Sequence, residues 1–240
     1  MANANKVALV TGANKGLGLE IARQLAREGI TVVIGARDTM KGEAAATTLK
    51  SEGLDAHFVP LDVLNEAHIA ALPAYFADNF GRLDILVNNA GVNNAGVGGG
   101  KETTAQILRD VLEANTVAPF AITQALLPLL KESPAGRIVN HSSILGSITE
   151  VGNMSPEWLG EAYSSSKAAL NMITAVQAKK LAGTNIKVNA AHPGWVKTDM
   201  GGDGAPLDVA EGAKTAVTLA LLGDDGETGG FFHAGKRLPW

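Results

Sequence analysis

The stretch "KVALVTGANKGLGLEIARQLAREG", Lys6 to Gly29, carries three signals in succession. A run of β-branched and aliphatic residues, Lys6 to Gly12, reads as a strand. A glycine-rich turn follows, with Gly12, Gly16 and Gly18 flanking Asn14, Lys15 and Leu17. Apolar residues then recur at three- and four-residue spacing until Gly29, the pattern of an amphipathic helix with a glycine stop. Gly12 is expected to allow the tight turn, Gly16 to let the backbone approach a phosphate without a Cβ, and Gly18 to let helix and strand pack closely. The helix N-terminus then presents unpaired N–H groups and a positive dipole end to an anion. The spacing is G-x-x-x-G-x-G rather than G-x-G-x-x-G, so its force comes from the order strand, turn, helix.

The same alternation continues outward. "TVVIGAR" (31–37), "AHFVPLDV" (56–63), "LDILVNNAG" (83–91), "GRIVNHSS" (136–143), "IKVNAAHPG" (186–194) and "GGFFHA" (229–234) read as further strands, with helical segments such as "NEAHIAALPAYFADNFG" between them. Strands that are almost continuously apolar and separated by helices predict a parallel sheet covered on both faces. The expected fold is α/β: a single-domain, Rossmann-type doubly wound sheet of about seven mainly parallel strands over residues 1–240, with ligands beyond the strands' carboxyl ends. Three segments at that edge, about 92–101, 144–160 and 195–206, read as substrate loops, and the glycines of "WVKTDMGGDGAP" suit a lid.

Composition narrows the function. The chain is 46% apolar and 18% charged with a formal charge of −4, and contains no basic run suited to nucleic acid or an anionic membrane. It has no cysteine, which removes thiolate metal sites and cysteine nucleophiles. No leader or membrane-spanning pattern is read, so the expected location is cytoplasmic. His141 and His192 stand in no ligand-spaced cluster; they read as structural, and no metal is expected.

At the end of the second strand an acidic residue would bind the ribose hydroxyls of NAD, but Ala36 stands there. Arg37 follows, and with Lys15 it supplies two cations for a 2′-phosphate, so NADP(H) is favoured over NAD(H). Asp38 competes for the ribose or caps the next helix. Asp62, with Val63 at the end of the third strand, reads either as an adenine contact or as a cap for the helix starting near Asn65.

Together "TGANKGLG", "LD" at 61 and 62, "NNAG" at 88 to 91, Asn115, "VNHSS" at 139 to 143, "YSSSK" at 163 to 167 and "PGWVKTDM" at 193 to 200 resemble the short-chain dehydrogenase/reductase family, most closely its carbonyl-reductase branch. The resemblance places Asn89, Ala90 and Gly91 on the cofactor edge, with Pro193, Gly194, Val196 and Thr198 around the nicotinamide and phosphates. It makes Asn115 a proton-relay residue, Ser143 the carbonyl-orienting hydroxyl, Tyr163 the acid/base, and Lys167 its electrostatic partner and ribose ligand. It implies an NADP(H)-dependent alcohol dehydrogenase or carbonyl reductase, acting on a small aldehyde or ketone. Ser143 and Tyr163 lie 20 positions apart, a longer interval than the family usually shows, which leaves a homo-oligomer possible but unassigned.

The chemistry read from the residues agrees. Tyr163 and Lys167, four apart, share a helix face. A unit charge about 4 Å from the phenol would stabilise its anion by about 4 kcal/mol at an effective dielectric near 20, bringing its pKa from about 10 to about 7. Ile144, Val151, Trp158, Trp195 and Met200, together with Ser143 and Tyr163, are the expected pocket lining, an apolar one. Two other readings fit the same motifs: an NADP-binding regulatory or scaffold protein without turnover, and a sugar-nucleotide epimerase or dehydratase. For the latter, few residues follow Gly194 to build the usual substrate domain.

Overall fold

The computed structural model describes residues 6–93 and 103–240. Most of the expected substrate loop at 92–101 lies outside the described residues. One sheet runs through the molecule: β1 (Val7–Thr11), β2 (Thr31–Ala36), β3 (Ala56–Pro60), β4 (Ile85–Asn88), β5 (Arg137–His141), β6 (Lys187–Ala191), β7 (Phe231–His233) and β8 (Lys236–Leu238). Their order is β3-β2-β1-β4-β5-β6-β7-β8, the first seven strands parallel and β8 antiparallel to β7. The reversal of strand order falls between β1 and β4, where Ala8 stands level with both Val32 and Ile85. Connections leave the sheet on opposite faces at that point, which opens a crevice beyond the strand ends.

Successive strand residues face opposite sides, and both sides are covered. On one face Ala8, Val10, Val32, Ile34, Ile85 and Val87 meet α1 (Gly16–Arg27), α2 (Thr39–Ser51) and α8 (Val209–Ala220). On the other, Val7, Leu9, Val33, Leu86, Ile138 and Val188 meet α3 (Glu66–Phe80), α5 (Ala118–Glu132) and α7 (Glu161–Lys180). This two-sided burial is why β1, β2 and β4 are mostly aliphatic, while the polar residues of β5 and β6, such as Asn140 and Asn189, are buried with hydrogen-bond partners. Phe76, fully buried on α3, is typical, and truncating such a side chain to alanine costs about 3–5 kcal/mol.

Two further α-helices among the described residues are α4 (Ala105–Leu112), joined to α5 through a single π-helical turn at Glu113–Val117, and the short α6 (Ile148–Val151). Side chains cap α2 (Asp38), α3 (Asn65), α4 (Thr104), α6 (Ser147) and α8 (Asp208). The cap of α3 is thus Asn65 and not Asp62, whose Oδ1 instead accepts from Leu64 N at 3.1 Å in a local turn. Among the described residues no helix is long and apolar enough to cross a membrane.

The sequence pattern marks about seven strands; the eighth in the structure is the segment "KRL". Ala234 (φ 46°) and Gly235 (φ 76°) both adopt left-handed conformations, the geometry of a two-residue hairpin turn, and fold β8 back on β7. Trp240 then stacks on Phe231 at 5.8 Å, and its carbonyl accepts from Thr149 N and Oγ1 at 3.2 and 3.0 Å. The tail therefore braces the start of α6.

Candidate active site

At the end of β1, Gly12 takes a φ of 64°, and a Cβ there would stand 2.9 Å from Ala90 Cα. The two loop segments are stitched together: Thr11 Oγ1 accepts from Asn89 N and Ala90 N, both at 3.0 Å, and Asn89 Nδ2 donates to Thr11 O at 2.9 Å. A Cβ on Gly18 would lie 2.5 Å from both Gly12 O and Asn89 Nδ2, so helix and loop meet there at backbone distance. Gly16 differs. Its nearest foreign neighbour is Thr198 Cγ2 at 3.8 Å, leaving room beside the backbone, while Asn14 and Leu17 lie half-buried in the same turn.

The residue preceding α1 is Lys15, which makes no side-chain cap, and no acid occupies the first turn. Its N–H groups thus keep no side-chain acceptor, in contrast to the capped helices, which fits a phosphate ligand. At the end of β2, Ala36 is buried and supplies no carboxylate, and Arg37 is exposed. Asp38 is turned onto its own helix, accepting from Lys41 N at 3.1 Å with Lys41 Nζ at 3.4 Å. Those bonds hold its carboxyl below the usual range. The donor set fits a dinucleotide with a 2′-phosphate better than one with a free ribose diol. Lys15, the second expected cation, is paired with Asp199 of the 195–206 loop, both side chains exposed. Asp62 and Val63 are half-buried just beyond the end of β3.

The π-helical turn serves the other end of the crevice. It carries the fully buried Asn115, whose Oδ1 accepts from Val92 N at 2.8 Å and whose Nδ2 donates to Val92 O at 2.9 Å and to Ser166 Oγ at 3.0 Å. One extra residue in a helical turn re-aims a side chain, a device frequent at functional sites. Both amide protons are committed, so Asn115 braces the exit of β4 against α7 and keeps one Oδ1 lone pair. Gly91 lies against this brace: a Cβ there would stand 3.1 Å from Asn115 Oδ1 and 3.6 Å from Lys167 Nζ.

Tyr163 and Lys167 share a face of α7, with Nζ 5.6 Å from the phenol ring centre. The electrostatics differ from the sequence expectation of a phenol tuned to about 7. Lys167 donates to His141 O at 2.8 Å, so its ammonium is held toward the strand end and over the ring face. Burial pushes the Tyr163 hydroxyl up to about 12, with a hydrogen bond to Ser143 pulling weakly the other way. Burial also brings Lys167 down to about 8. The assumed separation of about 4 Å overlooked both the cost of desolvating an anion and the competing carbonyl.

Ser143 turns its oxygen both to Leu145 N, at 3.2 Å, and toward Tyr163. These two hydroxyl residues line a cleft of about 430 Å³ with Leu17, Ile144, Leu145, Met154, Trp158, His192, Pro193, Gly194, Trp195, Val196, Thr198 and Met200. Val151 is not part of this lining. It ends α6, and Met154, whose N–H bonds back to Val151 O at 3.2 Å, comes to the cleft in its place. Trp158 and Trp195 meet edge to face at 5.3 Å, joining the loops 144–160 and 195–206 above the cleft. Leu145, Met154 and His192 are cleft residues that no sequence motif marks, although His192 directly precedes Pro193 of the "PGWVKTDM" segment.

A family model described as short chain dehydrogenase matches residues 6–206. Among curated proteins, (-)-isopiperitenone reductase of Mentha piperita is 35% identical, the match covering 99% of each chain. Carbonyl reductase (NADPH) 1 of Homo sapiens is 36% identical, again over 99% of each. Among solved structures, NADPH-bound carbonyl reductase from chicken fatty liver superposes with a TM-score of 0.85 at 32% identity, over 99% of this chain and 100% of the other. The two curated alignments run over 316 and 281 positions, more than the 240 residues here, so those relatives carry stretches this chain lacks.

Proposed function

The chain belongs to the short-chain dehydrogenase/reductase family, and from that premise we propose that it reduces an aldehyde or ketone to an alcohol with NADPH, Tyr163 acting as the general acid. The observation that carries this reading is the pairing of Ser143 and Tyr163 in the wall of an apolar cleft, with the buried Lys167 over the Tyr163 ring and a helix N-terminus without a side-chain cap in the same crevice. Bound NADPH supplies hydride to the carbonyl carbon. Ser143 and Tyr163 would hold the carbonyl oxygen by hydrogen bonds that strengthen as negative charge grows on it. The Tyr163 hydroxyl, held at about 12, carries its proton throughout the neutral range and is a stronger acid than the alcohol being formed. Lys167, with its remaining ammonium protons, would face the ribose, while Asn115 keeps Val92 and Ser166 in register.

Gly12, Asn14, Gly16, Leu17, Gly18, Asn89, Ala90 and Gly91 would hold the dinucleotide's phosphates and ribose. Arg37 and Lys15 would hold its 2′-phosphate, Asp62 and Val63 its adenine, and Pro193, Gly194, Val196 and Thr198 its nicotinamide side. A small-molecule carbonyl is the proposed partner. A homo-oligomer rests on the exposed apolar side chains of Phe120, Met172 and Val176. The test is spectrophotometric: NADPH and NADH consumption over a panel of aldehydes and ketones. Turnover with NADPH, abolished in Tyr163→Phe, supports the reading; turnover that survives that change contradicts it.

A further inference from the structure

We propose that His192 is a specificity-determining residue whose Nε2–H faces the reaction cleft and donates to a second oxygen of the substrate, next to the carbonyl being reduced. The inference rests on the reading of this cleft as a site of carbonyl reduction, and adds to it the substrate class: vicinal dicarbonyl compounds, exemplified by 2-oxo esters.

His192 follows the last residue of β6, Ala191, whose carbonyl accepts from Ser142 N at 2.8 Å. That register sets the imidazole beside the segment carrying Ser143. Its Nδ1 lies 3.3 Å from Ile144 N and 3.4 Å from Gly194 N. A backbone amide can only donate, so two such amides aimed at Nδ1 leave the ring proton on Nε2. Burial, and then the neighbouring His233, push the imidazole down to about 3, so the ring is neutral across the working range. His233 is itself engaged, its Nδ1 placed 2.9 Å from the His192 carbonyl.

Among the described residues nothing partners His192 Nε2. Nor is it a sealed-off atom: the buried side-chain atoms without partners are Asn88 Oδ1, Asn93 Oδ1, Ser164 Oγ and the Gln177 amide. His192 lines the cleft with Ser143, Tyr163 and Trp195, the space assigned to its free donor. The surrounding wall of Ile144, Leu145, Met154 and Trp158 is apolar, which makes an unmatched N–H costly once a substrate displaces water. A site of this kind discriminates against ligands that leave its donor unpaired.

The experiment compares kcat/KM for methyl benzoylformate with that for acetophenone, which has the same ring and ketone without the second acceptor. Whatever loss His192→Phe brings to both, the ratio is expected to fall about tenfold, one hydrogen bond's worth. In His192→Gln, whose amide can accept at one atom and donate at the other, the ratio is expected to stay within about threefold of the parent's. An unchanged ratio in His192→Phe overturns the inference. Independently of any variant, nitrogen NMR of histidine-labelled protein should find Nε2 protonated and Nδ1 bare, with the Nε2 resonance moving when methyl benzoylformate is added to the NADP-bound protein. The opposite tautomer, or a resonance that does not move, also overturns it. Failure of the parent to oxidise NADPH with either ketone would sink the carbonyl-reduction reading, and the nitrogen resonances would still judge the donor.

Discussion

At the phosphate end of the crevice the protein works with backbone: Gly12 and Gly18 bring main chains into contact, Asn89 stitches two loops together, and α1 opens without a cap. At the chemical end it works with titratable side chains held out of water. Lys167 is 5% exposed and lowered to about 8, Tyr163 is raised to about 12, and His141 and His192 both fall to about 3. The first arrangement pairs its loop polar groups locally and leaves only the N–H groups of the first turn of α1 for a ligand. The second sets charge chemistry by desolvation, which destabilises the native state to gain function.

The sharpest way to break this contrast is Tyr163→Phe. Turnover should drop about a thousandfold, as removal of a general acid does, while NADPH affinity by fluorescence titration shifts less than about threefold. Comparable losses in both would mean the tyrosine belongs to the binding end. Lys167→Met tests the cost of burial. An unfolded lysine keeps its proton to 10.5 and the folded one only to about 8, so the parent gains stability as pH rises between those values. In urea melts the variant should therefore gain on the parent by up to about 3 kcal/mol as pH falls from above that window to below it. A difference independent of pH would refute the buried-charge assignment.

At the backbone end, Gly18→Ala forces a Cβ to within 2.5 Å of Gly12 O, and overpacking of this kind costs about 1–3 kcal/mol. NADPH binding should weaken about thirtyfold with the pH profile of turnover unchanged. Arg37→Ala should lower the NADPH-over-NADH preference about tenfold, the loss of one charge-assisted bond, read from kcat/KM with each cofactor. The smallest effect is expected from Asp199→Asn. Freed from that exposed pairing, Lys15 should tighten NADPH binding about twofold, less at high salt.

Most of the architecture was legible because parallel strands buried on both faces write themselves as apolar runs, and because glycine turns and caps act within a few residues of sequence. The strand β8 was not legible: three residues, two of them charged, look like a solvated tail until the Ala234–Gly235 turn pairs them with β7. Met154 reaches the cleft instead of Val151 because the chain turns back after α6, a reversal no periodicity announces. The Tyr163–Lys167 pairing could be read from its spacing, but the ionisation of the pair could not. It depends on burial and on the His141 carbonyl, 26 residues away in sequence, that claims the ammonium. His192 looked structural as a lone histidine; only the two amides aimed at Nδ1 reveal a free donor.

The chain has two tyrosines, and Tyr75→Phe would leave Tyr163 alone to be followed by ultraviolet absorption. A pH titration of that variant, run beside the pH dependence of kcat/KM for ketone reduction, addresses the acid directly. Tyr163 should ionise well above the ordinary range of a phenol, with reduction holding level through neutral pH. A phenolate already formed near neutrality in the free protein would contradict the account of a phenol raised by burial, and reduction that continues undiminished after the hydroxyl has lost its proton would show that Tyr163 is not the proton donor.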